Sequence, residues 1–159
     1  MWLSDRRVFL FGALALAGCG FTPAYAPNGS GTALRGQVRA DDPSDSLGFE
    51  FVAGLEERLG RPQGARYALS YTLETSERGG ARVVGVGETR IALLGNLDYS
   101  LTELATGDTV TSGRLRNVTN YSTTANQLAT QRSREDAEAR LMRILADQVA
   151  ARLLAALAE

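Results

Sequence analysis

Most protein chemistry runs through histidine, cysteine, lysine and paired carboxylates, and this chain holds few of them. It has no histidine, so Ser-His-Asp and Cys-His arrangements are excluded. It has no lysine either, since its 17 basic side chains are all arginine; a serine–lysine pair is excluded with it. The one cysteine, Cys19, cannot build an internal disulfide. Without histidine or further cysteines the usual zinc and iron ligand sets are missing, and no metal or cofactor is expected. Paired carboxylates are the one catalytic route left open, as in glycoside hydrolysis. Asp41, Asp42 and Asp45 do cluster, but in the turn Asp41-Asp42-Pro43-Ser44-Asp45-Ser46, where helix capping accounts for them. Gly85-Val86-Gly87-Glu88-Thr89-Arg90 begins like a dinucleotide loop, yet Arg90 stands where the third glycine belongs and no helix follows. It reads as a bulged hairpin. No catalytic residue is expected, and the chain reads as a non-enzyme.

The chemistry that remains is recognition. Every cationic site is a planar guanidinium fork, suited to bidentate contact with phosphate or carboxylate. A formal net charge of −1 argues against nucleic acid, whose partners carry a strong basic excess.

Cys19 is explained by what precedes it. Arg6 and Arg7 form a positive segment, and Val8 to Ala17 is an unbroken small and apolar run. That run falls short of the about 20 residues that span a bilayer, so it reads as the core of a signal peptide. It ends in Leu16-Ala17-Gly18-Cys19, which resembles the lipobox of bacterial lipoproteins, where the cysteine is acylated and becomes the new N-terminus. An ordinary secretory cut after Ala24-Tyr25-Ala26 is the alternative, but Pro27 would sit just past the scissile bond. Arg6-Arg7-Val8-Phe9-Leu10 also resembles a twin-arginine signal, so both export routes stay open. Gly20, where aspartate would mark inner-membrane retention, points to the outer membrane, on its periplasmic face. Several acyl chains on Cys19 would anchor the protein stably.

The chain therefore divides into a leader over 1–18, an acylated tether over 19–33 and a single domain over 34–159. The tether is rich in proline, glycine and small polar residues. The domain is long enough to bury a real core. Leu34 to Ala40 alternates like a half-buried strand. Phe51, Leu55 and Leu59, four apart, with Val52 beside them, predict a helix stopped by Gly60 and Pro62. Arg66 to Ser76 alternates cleanly, and Ser76-Glu77-Arg78-Gly79-Gly80 reads as a hairpin turn. A long strand region over 81–103 follows, broken or bulged at Gly85/Gly87. Thr106-Gly107-Asp108 then turns the chain into a last strand from Thr109 to about Ser122, with slipped alternation between Val110 and Leu115. A long amphipathic helix from Asn126 or Ser133 to Ala158 carries the stripe Ala137, Leu141, Ile144, Leu145, Gln148, Val149, Leu153, Ala156 and Leu157. The order β-α-β-β-β-α implies an α+β fold, a two-layer sandwich with two helices on one face of a four-stranded mixed sheet.

Cys19-Gly20-Phe21-Thr22-Pro23-Ala24-Tyr25 is similar to the C-G-F-x-P-L-Y opening of alphaproteobacterial members of the LPS-assembly lipoprotein family, LptE, with Ala24 in place of leucine. Thr89-Arg90, Tyr99-Ser100-Leu101-Thr102-Glu103 and Thr106-Gly107 resemble that family's long hairpin. Tyr121 and Arg134-Glu135-Asp136-Ala137-Glu138-Ala139-Arg140-Leu141 resemble its C-terminal region. The resemblance implies a non-catalytic outer-membrane lipoprotein that plugs and helps assemble an LptD-type β-barrel and contacts lipopolysaccharide. Lipopolysaccharide carries dense phosphate and carboxylate charge, which arginine forks would bind. Arg78 and Arg82, flanking Gly79-Gly80, lead the candidates for that contact, followed by Arg90, Arg114 and Arg116. The competing assignments are an auxiliary lipoprotein of another envelope lipid transporter and, last, a lipid-anchored hydrolase built on Asp41, Asp42 and Asp45.

Overall fold

The computed structural model describes residues 34–80, 82–83 and 87–157, with residues 82–83 and 87–88 as backbone only. Cys19, the leader and the tether lie outside the described residues. Strand β1 (Val38–Ala40) leads into helix α1 (Ser46–Leu59) and strand β2 (Tyr67–Gly79). The short β3 (Arg82–Val83) and β4 (Gly87–Glu88) precede β5 (Arg90–Glu103), β6 (Thr109–Ser122) and helix α2 (Gln127–Ala156). The main sheet has the order β1-β2-β5-β6. β1 runs parallel to β2, and the other two ladders are antiparallel. This is the expected mixed four-stranded sheet.

Asp45 starts α1: its Oδ1 accepts the Gly48 amide at 2.7 Å, satisfying one of the helix's orphan donors. Gly60, at φ 78°, ends it and donates its N–H to the Glu56 carbonyl. Phe51, Leu55 and Leu59 are buried as their spacing predicts, and Phe51 meets the Tyr71 ring of β2 at 4.8 Å between centroids. α2 is capped by Asn126, whose Oδ1 accepts the Ala129 amide at 3.2 Å. It packs on the sheet and on α1 at once. A Cβ at Gly95 of β5 would lie 3.0 Å from Leu141, and a Cβ at Gly54 of α1 would lie 3.2 Å from the Ala146 Cβ. Both glycines are therefore places where backbone approaches helix. The buried stripe is accordingly wider than the sequence suggested. Met142, Ala146 and Ala150 are buried beside Leu141, Leu145, Val149 and Leu153, while Ile144 is only half-buried.

Three other expectations are corrected. Leu34 is buried, but residues 35–37 turn and the first strand begins only at Val38; Gly36 holds φ 72° there. Ser76 to Gly79 is not a turn. These residues continue β2 and pair with Leu94 down to Ile91, because a partner strand satisfies their backbone groups and overrides their turn propensity. The break in the 81–103 region is larger than a bulge. β3 and β4 pair with each other, Arg82 with Glu88 and Val83 with Gly87, as a separate two-stranded ribbon; Gly85 lies outside the described residues. The slip in β6 is a true bulge: Leu101 faces Thr111 and Thr102 faces Thr109, leaving Val110 between.

Candidate functional site

Strand alternation sends β2, β5 and β6 side chains to two faces. Tyr67, Leu69, Leu93, Leu97, Tyr99, Leu101, Leu115 and Tyr121 turn toward the helices and are buried. The opposite face has no helix on it among the described residues. The register builds that open face as rungs running across β2, β5 and β6. Arg78 lies opposite Ala92 and Ala92 opposite Asn120; Ser76, Leu94 and Val118 form the next rung; Glu74, Asn96 and Arg116 the next; Thr72, Asp98 and Arg114 the next. Arg90 stands beyond the first rung, opposite Ser122. Successive rungs are about 7 Å apart.

Four of the five candidate arginines thus share one surface, although they come from three strands and 39 positions of sequence. They are not equivalent. Arg114 is engaged by Asp98 through both carboxylate oxygens, at 2.6 and 3.0 Å. That hydrogen bond, and then the Asp98 charge, raises the guanidinium pKa above its already high value. Arg116 bonds the neutral Asn96 amide oxygen at 2.8 Å and makes no ion pair among the described residues. Arg78 and Arg90 are exposed and make no ion pair among the described residues. Arg82 belongs to β3, with its side chain outside the description. Glu74 is the one carboxylate on the Arg116 rung.

Sequence reasoning missed the floor between these arginines. Ala92, Leu94 and Val118 lie on the open face, and Val118 is 46% exposed. The sequence does carry a trace of it, because Ile91-Ala92-Leu93-Leu94 is an unbroken apolar run at the start of an otherwise alternating strand. The result is an amphipathic surface: an apolar strip bounded by Arg78 and Arg90 at one end and Arg116 at the other. An amphiphile with anionic headgroups and hydrocarbon matches both halves.

The helix side of the same strands is closed by polar contacts. Tyr121 donates its hydroxyl to Glu77 at 3.1 Å, and Arg134 pairs with Glu77 and Glu138. Burial first, then the bond to Glu77 and its charge, pushes the Tyr121 pKa up. Thr119, the one buried residue of the polar or charged class among the described residues, donates to the Ala137 carbonyl and ties β6 to α2. Asp41 and Asp42 are exposed, and Asp45 is occupied as the α1 cap. Among the described residues no group of acidic or sulfur side chains is arranged to hold a metal ion. No described helix is long and apolar enough to cross a membrane.

Comparison with known structures gives the same fold at low identity. A Caulobacter crescentus protein described as a lipoprotein superposes with a TM-score of 0.68 at 18% identity, covering 81% of this chain and 96% of its own. The rare lipoprotein B of Shewanella oneidensis gives 0.54 at 13% identity, covering 71% and 88%. A minor lipoprotein of Acinetobacter baumannii gives 0.51 at 15%, covering 74% and 88%. Among curated proteins, none matches. The family described as LptE, lipopolysaccharide-assembly, matches residues 34–153, a stretch that takes in every described strand, α1 and nearly all of α2. The chain belongs to the LptE lipopolysaccharide-assembly family.

Proposed function

We propose that this protein is an outer-membrane lipoprotein, acylated at Cys19 and facing the periplasm. It acts as the plug and assembly partner of an LptD-type β-barrel and contacts lipopolysaccharide through the open face of its sheet. Its role is structural and non-catalytic. The observation that carries the reading is the open face itself, where Arg78, Arg90 and Arg116 surround an apolar strip of Ala92, Leu94 and Val118. Guanidinium forks fit the phosphates and carboxylates of the glycolipid, and the strip fits its acyl chains. Arg114 serves mainly to hold Asp98 and the sheet. Arg82 remains a candidate contact beside Arg78.

The test is a mild-detergent pull-down of the tagged full-length lipoprotein from its own outer membrane, with partners identified by mass spectrometry. A stoichiometric β-barrel is the expected partner. A permease or a periplasmic lipid-binding subunit in its place would make the protein an auxiliary of a different lipid transporter, and no partner would remove the plug role.

A further inference from the structure

We propose that the groove between β1 and α1 is a docking site for an extended segment of a partner protein, one that alternates apolar and basic side chains and adds to the sheet beside β1. The groove has a volume of about 350 Å³. Val38, Ala40, Val52 and Leu55 line its floor, and Phe49 stands on its rim with 63% of its surface exposed. β1 is an edge strand, with nothing paired on its other side among the described residues. The Gln37 carbonyl accepts from Tyr67, and the Asp41 amide donates to Leu69. These alternate residues face β2, so the intervening Val38 and Ala40 turn their backbone N–H and C=O outward, along the groove. An added strand would meet backbone partners on one side and an apolar trough beneath.

Charge selects the occupant. Asp41 and Asp42 close one end of the groove, exposed and in no ion pair with a described residue. Glu56 on the α1 side is held by Arg61 at 3.5 Å, whereas Glu50 and Glu57 lie outside the groove, in a neighbouring cleft lined also by Arg61 and Arg143. Arg39 also borders the groove, but its place on β1 opposite Ala68 puts it on the open face of the sheet. A segment with basic side chains complements this rim. The protein's own residues 20–33 contain no basic residue. A second copy would bring an acidic α1 against an acidic α1 across an edge of only three residues. The inference rests on the proposed partnership with an envelope protein and is independent of what binds the arginine face.

The full-length lipoprotein is produced in its own envelope with a photo-crosslinking benzoylphenylalanine at Ala53, which is exposed and lines the groove. A second version carries the crosslinker at Ala151, exposed on α2. The expected adduct forms from position 53 and not from 151, and maps to a partner segment with at least two arginines or lysines among apolar residues. Asp41→Asn with Asp42→Asn is expected to cut its yield about fivefold, the scale of two exposed charge pairs. Phe49→Ala is expected to cut it as well, with the thermal midpoint unchanged in both variants. Adducts on residues 20–33, on a second copy or on a segment without basic residues overturn the proposal. So does the absence of an adduct while the wild-type pull-down still retains its partner. Loss of the partner from the wild-type pull-down overturns the partnership itself, and the docking site with it.

Discussion

Asp45 and Asp98 show how differently two carboxylates can be used on one small fold. Asp45 closes the first turn of α1 with a 2.7 Å bond to the Gly48 amide. Replacing it with alanine should cost about 1 kcal/mol of stability, read as a lower urea midpoint with the slope unchanged, and should leave partner capture intact. That role is readable in sequence, because capping needs only a short acidic turn before an apolar helix. The Asp98–Arg114 pair is not readable, since it joins residues 16 positions apart through a cross-strand register. Tyr121 offers a titration test. Its pKa is raised by burial and by Glu77, so the folded state holds its proton more tightly than the unfolded state. The resulting stabilisation is full below the ordinary tyrosine value of about 10 and is lost as pH rises through the higher folded value. Thermal midpoints should therefore fall on the alkaline side above about pH 10, and Tyr121→Phe should make that fall shallower. An equally steep fall in the variant would show that Tyr121 does not contribute.

At the scale of elements, legibility follows the range of the interactions. Helix α1, the alternation of β2, β5 and β6 and even the bulge at Val110 leave local marks, because each is a periodic pattern or a break in one. The course of the long hairpin does not. Ser76, Gly79 and Gly80 are turn-forming residues, yet β5 supplies partners for Ser76 through Gly79, and β3 and β4 still pair with each other further along the chain. The full buried width of α2 was hidden for a related reason. A single stripe assumes one neighbour, whereas α2 meets both the sheet at Gly95 and α1 at Gly54. Those two glycines carry the element-scale prediction. Gly95→Val would drive a side chain into Leu141 and Leu145, whose atoms already lie 3.0–3.2 Å from an added Cβ. Valine suits a strand by propensity, so any loss must come from overpacking, about 1–3 kcal/mol. A urea midpoint at or above wild type would show that α2 can move off the sheet without cost.

At the scale of the whole molecule, two groups of exposed charge of opposite sign lie apart on the fold. Arg78, Arg90 and Arg116 face away from the helices on the β2-β5-β6 surface, whereas Asp41 and Asp42 stand at the end of the groove between β1 and α1. A near-neutral net charge of −1 conceals this polarity. Exposed charges more than about 8 Å apart are largely screened at physiological salt, so the two regions should act independently. That independence makes a double dissociation possible. Arg78→Glu with Arg116→Glu should weaken capture of the full-length lipoprotein on immobilised lipopolysaccharide, and increasingly so at low salt, while leaving the protein partner in the pull-down. Asp41→Asn with Asp42→Asn should do the reverse, lowering groove crosslinking while lipopolysaccharide capture stays at the wild-type level. If either pair impaired both measurements, with thermal midpoints unchanged, the two faces would have to be one continuous interface. The open sheet face would then belong to the partner as well as to the glycolipid.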